Sequence, residues 1–295
     1  MSRNTAYLLL IGSALFWSGN FILGRAFAND IPPMSLSYWR WTVALLVFLP
    51  FSLHRLYIDR QIILQHLGWI VFMGVFGVAG FNTFVYIGLN DTLATNALLI
   101  NSFIPILIIL LARVALGQSI HWLQTVGVVL STAGVITLVA RGDWQNLVDL
   151  QVRQGDLWIL LAAFVWAAYS LGLRKRPEGL SSSAFLLSTM IVGVLVLSPL
   201  YWFNLLQEPV FEMSSNNIMA ILYVALFASL GAFLCWNQGL RIVGARTGGQ
   251  FIHLMPVFGM VMAVLFLGEK LFWFHVLGGV AIALGIFLSL KYARQ

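Results

Sequence analysis

Ten long apolar stretches dominate this chain of 295 residues, near residues 6–24, 36–53, 67–88, 94–112, 120–139, 157–173, 184–203, 218–239, 245–267 and 271–290. Each approaches the roughly 20 apolar residues that a helix needs to cross a bilayer. Gly, Pro, Ser and Asn inside several of them are tolerated when neighbouring helices re-satisfy the backbone. Composition points the same way: 60% of the residues are hydrophobic and 9% are charged, against about 25% charged in soluble domains. Sixteen basic and ten acidic side chains cannot cover a water-soluble enzyme of this size. The net charge of +6 is scattered over the ends of apolar runs, which excludes a nucleic-acid interface. Cys235 is the single cysteine, so there is no disulfide framework and no cysteine metal site. The expected fold is an all-α integral membrane protein with ten transmembrane helices. No loop is long enough for a soluble domain, so any function lies within the bundle.

The N-terminal run, with Arg3 before it and Ala26-Phe27-Ala28 after it, imitates a cleavable signal. It is too long for a signal core, and Asn20 and Arg25 interrupt its end, so it is read as the first membrane helix. Basic residues set the orientation. Eleven (Arg3, Arg55, Arg60, Arg113, Arg174, Lys175, Arg176, Arg241, Arg246, Lys291 and Arg294) fall on the side of the N-terminus, against four (Arg25, Arg141, Arg153 and Lys270) on the other. Both termini are therefore expected in the cytoplasm.

The two halves of the chain align with each other. Ala94, Pro105, Ala112, Trp122, Gly127 and Gly134 stand 151 residues before Ala245, Pro256, Ala263, Trp273, Gly278 and Gly285. Upstream, Gly80 and Gly88 meet Gly231 and Gly239 at the same shift, and Trp17, Arg25 and Pro50 meet Trp166, Arg174 and Pro199 at 149. Five spans per half is an odd number, so the second half must enter the membrane from the opposite face. The expected organisation is a first five-helix repeat at residues 1–141, a periplasmic linker at 142–154, and a second, inverted five-helix repeat at 155–295. Inverted repeats are the architecture of many secondary transporters, with the substrate site near the midplane where the halves meet.

At this point the residues resemble a known family. Ala14-Leu15-Phe16-Trp17-Ser18-Gly19-Asn20-Phe21 is similar to the first-helix signature of EamA-type members of the drug/metabolite transporter superfamily. Arg40 with Ala44 resembles the second-helix arginine motif, and Pro256 followed by Leu267-Gly268-Glu269-Lys270-Leu271 resembles the ninth-helix ending. The resemblance covers the whole chain. It implies a ten-helix carrier of the bacterial inner membrane, exporting amino acids, other metabolites or drugs. One departure stands out: the first half reads Leu116-Gly117-Gln118, where the family often has Glu after Gly, so only Glu269 carries that acid here.

Polar residues inside spans are candidate substrate contacts. Arg40 could hold a carboxylate or phosphate. It lies about four residues into its predicted span, roughly 6 Å at the helical rise, so snorkelling to the interface beside Trp39 and Trp41 is the preferred alternative. His253 lies about 12 Å into the ninth span and shares a face with Gln250. Its open readings are cavity lining, helix-to-helix hydrogen bonding and, least favoured, proton coupling. Ala97, Asn101 and Pro105 are spaced by four and share a face, and Asn96 and Asn101 offer amides at substrate depth. Trp17 and Asn20, Asn82 and Tyr86, Trp166 and Tyr169, and Trp236 and Asn237 are candidates for an aromatic, amide-lined pocket. The matched Pro105 and Pro256 are expected kinks, for gating or for packing. Trp69, Trp122, Trp202 and Trp273 read as an interfacial belt.

No acid lies well inside a span, which disfavours a proton-driven pump of cationic drugs and favours uniport or substrate exchange. No hydrolase, metalloprotease or nucleotide motif is present, and nothing resembles a filter loop. The reading is a carrier, not an enzyme, exporting small polar or amphipathic metabolites, amino acids foremost, by alternating access. A multidrug exporter of the same fold is the runner-up, and a lipid-modifying membrane enzyme a distant third. The expected partners are a small-molecule substrate and the bilayer, with no cofactor, metal or nucleic acid, in a monomer or homodimer.

Overall fold

The structure, a computed structural model, describes residues 1–27, 29–117, 121–143, 145–148, 153–206, 211–267 and 270–292. Gln118, Glu269 and Arg294 lie outside the described residues, as does part of the expected linker. The described residues are helical, with no strand. Nine helices among them are long and apolar enough to cross a membrane. These are α1 (Arg3–Gly24), α2 (Pro33–Ile58), α3 (Leu67–Asp91), α4 (Asn96–Ala115), α5 (Trp122–Val139), α6 (Gln154–Lys175), α7 (Ser182–Leu205), α8 (Ser215–Val243) and α10 (Trp273–Tyr292).

The ninth expected span is where sequence and structure differ. It is helical but in three pieces: a turn at Ala245–Gly248, a 3-10 segment at Gly249–His253, and α9 (Leu254–Leu267) of 14 residues. Two local features explain this. Gly244 turns the chain with φ 78° and ψ 159°, a conformation open essentially only to glycine. Pro256 has no N–H for the carbonyl four residues back, and its ring crowds that carbonyl, so a regular helix cannot run through it.

Pro105 acts in the same way. α4 breaks at Ser102 and Phe103, and Pro105 sits in the first turn of the helical piece Ile104–Leu116. There a missing N–H costs nothing. The two prolines therefore do not kink continuous helices. They start new ones, and Pro105 does not share a helical face with Ala97 and Asn101.

Two further irregularities lie at corresponding places. α3 carries a π-helical segment at Gly74–Gly80, and α8 carries one at Val224–Gly231. Their last residues are 151 apart. Packing follows the same interval. α5 lies against α10, and α2 against α7; α1 packs on the second part of α8 much as α6 packs on the second part of α3. Between α5 and α10, a Cβ on Gly127 would stand 2.6 Å from the Gly285 carbonyl, and one on Gly278 2.9 Å from the Gly134 carbonyl. Glycine is needed there because two backbones approach this closely. The outer faces expose large apolar side chains such as Leu8, Phe51, Val114 and Leu195, as lipid-facing surfaces do. Trp122, Trp202 and Trp273 are exposed near helix ends as a belt requires. Trp69 differs, donating its indole N–H to the Gly172 carbonyl at 3.1 Å and lying on Phe185.

Candidate functional site

Arg40 occupies the centre. Its side chain is 0% exposed and points inward, so it does not snorkel. Depth along a helix sets only the height of a residue; the facing helices decide where its side chain goes. Nε donates to Ser229 Oγ of α8 at 2.8 Å, while Nη1 lies against Asn20 Oδ1 of α1, Asn82 Oδ1 of α3 and the Tyr86 hydroxyl. Tyr86 in turn donates to Asn20 Oδ1 at 2.7 Å. The π segment presents Ser229, whose hydroxyl also reaches the Val224 carbonyl five residues back. All these partners of Arg40 are neutral. A buried guanidinium stays charged and is costly without compensation. Its Nη2 has no hydrogen-bond partner among the described residues.

Beside Arg40 lies an aromatic cluster. Trp17, Trp166 and Trp236 meet with centroid separations of 5.0–5.7 Å, and Phe233 and Tyr169 pack on them. The Trp17 indole donates across to the Ala228 carbonyl in the π segment of α8. Tyr169 donates to Asn237 Oδ1 at 2.8 Å. This pair is the counterpart of Tyr86–Asn20 with the residue types exchanged: Tyr169 stands 149 after Asn20, and Asn237 stands 151 after Tyr86.

Trp17, Asn20, Trp166 and Asn101 share a cavity of about 10 Å³ with Phe21, Phe81, Ile104, Ile252 and Met255. That volume seats about one water, so the centre is closed in this conformation. Asn101 Oδ1 in its wall has no partner among the described residues, and elsewhere in the buried interior the same holds for Asn82 Nδ2, Trp236 Nε1, Asn237 Nδ2 and both amide atoms of Gln250. Each such buried group costs about 1–3 kcal/mol, and native proteins leave few of them. A polar ligand that reached such atoms would relieve that cost.

His253 and Gln250 are both fully buried, and the 3-10 geometry of their segment aligns positions three apart. His253 Nε2 donates to the Ser102 carbonyl at 2.8 Å, since a carbonyl can only accept, and Nδ1 meets Ser131 Oγ of α5 at 2.7 Å. The ring thus ties the break in α9 to the break in α4. It also borders a second cavity of about 10 Å³ with Asn101. Of the open readings, helix-to-helix bonding describes its observed contacts. Gln250 makes no hydrogen bond that joins it to the Arg40 network.

Asn96 is not at substrate depth. It sits at the end of the bundle opposite the N-terminus, donating to both carboxylate oxygens of Asp156 at 3.2 Å. Asp156 also accepts from the Thr92 hydroxyl and from the Arg153 backbone N–H, and Asp91 accepts from the Gly155 N–H. These bonds fasten the α3–α4 junction to the start of α6. Sequence reading missed Asp156, Ser229 and Ser102. Ser229 and Ser102 are ordinary membrane-helix residues by type, but Ser102 is the counterpart of His253 at the 151-residue interval. No cluster of metal-ligating side chains occurs among the described residues.

The profile of the EamA-like transporter family matches residues 4–140 and again 153–291. An uncharacterized transporter of Bacillus subtilis, YyaM, is 29% identical over 97% of this chain and 93% of its own length. A protein of Escherichia coli named a probable amino-acid metabolite efflux pump is 24% identical, over 98% of this chain and 95% of its own. A solved crystal structure shares the fold, with a TM-score of 0.78 at 18% identity and 99% of each chain covered.

Proposed function

The chain belongs to the EamA-like transporter family, and from that premise we propose that it is an alternating-access carrier that exports small amphipathic metabolites, amino acids foremost. It is a multi-pass membrane protein whose partners are the bilayer and a small-molecule substrate. The observation that carries the substrate class is Arg40: a fully buried guanidinium with neutral partners and a free Nη2, beside a cluster of three tryptophans. A carboxylate would complete the charge, and the aromatic surfaces would take an apolar side chain. The amides of Asn101, Asn237 and Gln250 would serve an α-amino group or a polar tail.

The ten-span, inverted-repeat reading supports alternating access. It is itself supported by the contacts that recur at intervals of 149 and 151. Gly127 meets Gly285 as Gly278 meets Gly134, and Gly88 meets Gly155 as Gly239 meets Ala6. Such reciprocal contacts are what a two-fold relation between halves produces. Ser102–His253 and Trp17–Trp166 touch their own counterparts, as residues near a two-fold axis would. The orientation, with both termini cytoplasmic in a bacterial inner membrane, rests on the basic-residue count.

The test is counterflow in proteoliposomes loaded with a panel of amino acids and other metabolites, with and without a pH gradient. Saturable exchange of a carboxylated substrate, independent of the gradient, is expected. Exchange confined to cations without a carboxylate would favour the multidrug reading and refute the role given to Arg40.

A further inference from the structure

A cavity lies away from Arg40, between the end of α6 with its following loop and the α8–α9 junction. Its volume is about 420 Å³, within the range of small-molecule sites. It opens at the end of the bundle that carries the N-terminus, where Gln238 of α8 meets Met1. Arg174, Arg176, Arg241 and Arg246 line it, with Glu178 as the single acid. Lys175 lies between two of these arginines in sequence and is not part of the wall.

Arg176 is held in place. Its guanidinium reaches the Leu180 carbonyl and Ser182 Oγ and lies over the Phe185 ring, while its Nε has no partner among the described residues. Burial, followed by repulsion from Arg241, brings its pKa down to about 10. It therefore remains charged near neutral pH, beside another cation. At the inner wall, Ser170 is 1% exposed and its hydroxyl has no partner. Orientation in the membrane needs only basic residues near helix ends. It does not require four arginines around one cavity with an unsatisfied hydroxyl in its wall.

We propose that this cavity is an oxyanion site that takes a phosphate or carboxylate group. Arg176 and Arg241 make the charge-assisted bonds, for which the planar guanidinium is better suited than an ammonium. Ser170 and Thr247 complete the wall. The group belongs either to a soluble anion or to the headgroup of an anionic lipid. The site is distinct from Arg40 and does not depend on the transport reading, because binding is measured without any gradient.

The experiment is titration of inorganic phosphate into the delipidated full-length protein in phosphatidylcholine nanodiscs, followed by calorimetry. Saturable binding is expected. Arg241→Gln, on an exposed side chain, and Arg176→Gln should each weaken it about tenfold or more, while Lys175→Gln leaves it unchanged. Elution as a monodisperse peak shows that each variant is folded. Repetition with phosphatidylglycerol in the disc separates the sources: loss of phosphate binding in the wild type identifies a lipid headgroup, and retention identifies a soluble anion. No saturable phosphate binding in phosphatidylcholine, or equal weakening by Lys175→Gln, would overturn the proposal.

Discussion

His253 and Ser102 are 151 positions apart in the chain and joined by a 2.8 Å hydrogen bond from the imidazole Nε2 to the serine carbonyl. The same interval separates Pro105 from Pro256, three residues further on. The bond links the two helix breaks, so it should matter to both. His253→Ala leaves the Ser102 carbonyl without its donor and Ser131 without its ring partner. An unfolding free energy lower by about 1–3 kcal/mol is expected, read from thermal unfolding in detergent. Counterflow should persist in this variant without a pH gradient; dependence of wild-type exchange on the gradient, abolished in the variant, would make His253 a coupling site instead.

Arg40→Lys keeps the charge but loses the planar fork and the contacts to Ser229, Asn20 and Asn82. The half-saturating concentration for carboxylated substrates in counterflow should rise about tenfold or more, in line with roughly 1.5–3 kcal/mol for a charge-assisted bond. A substrate amidated at its carboxylate should be insensitive to the change. An equal loss for both would mean that Arg40 only holds the helices together.

Asp156 fastens the α3–α4 junction to α6 at the end opposite the arginine cavity. Asp156→Ala strands the Thr92 hydroxyl and the Arg153 N–H, which lose an acceptor. Amide hydrogen exchange over residues 88–97 should accelerate while α5 and α10 remain protected. Asp156→Asn, which keeps one acceptor oxygen, should fall between the two.

The α5–α10 contact makes the same close approach twice. Gly127→Ala and Gly278→Ala each push a methyl group onto a facing backbone, where overpacking costs about 1–3 kcal/mol. Their unfolding midpoints should drop by similar amounts, as measured by scanning fluorimetry. A large drop for one and none for the other would refute the reciprocity of the contact.

Much of this was legible in the chain. The apolar runs located the nine helices that are long enough to cross a membrane among the described residues, and the polar residues singled out from α1, α2 and α3 do meet around Arg40. Hydropathy counts composition, however, and says nothing about hydrogen-bond register. That is why the 3-10 stretch at Gly249–His253 and the π turns passed unseen. Ser229 escaped for the same reason, since it reaches Arg40 from a π-helical turn. The direction of Arg40 was misjudged because height in the bilayer carries no information about azimuth. Asn96 was placed too deep because its partner, Asp156, lies 60 residues away in sequence.

The closed centre has one more consequence. A cavity of about 10 Å³ between Trp17, Trp166 and Asn101 seats a single water. A continuous file of waters through this point needs more room than a single seat walled by indoles supplies. In the conformation seen here, a water file would therefore be broken beside Trp17 and Trp166 and could run through only after the helices around them part.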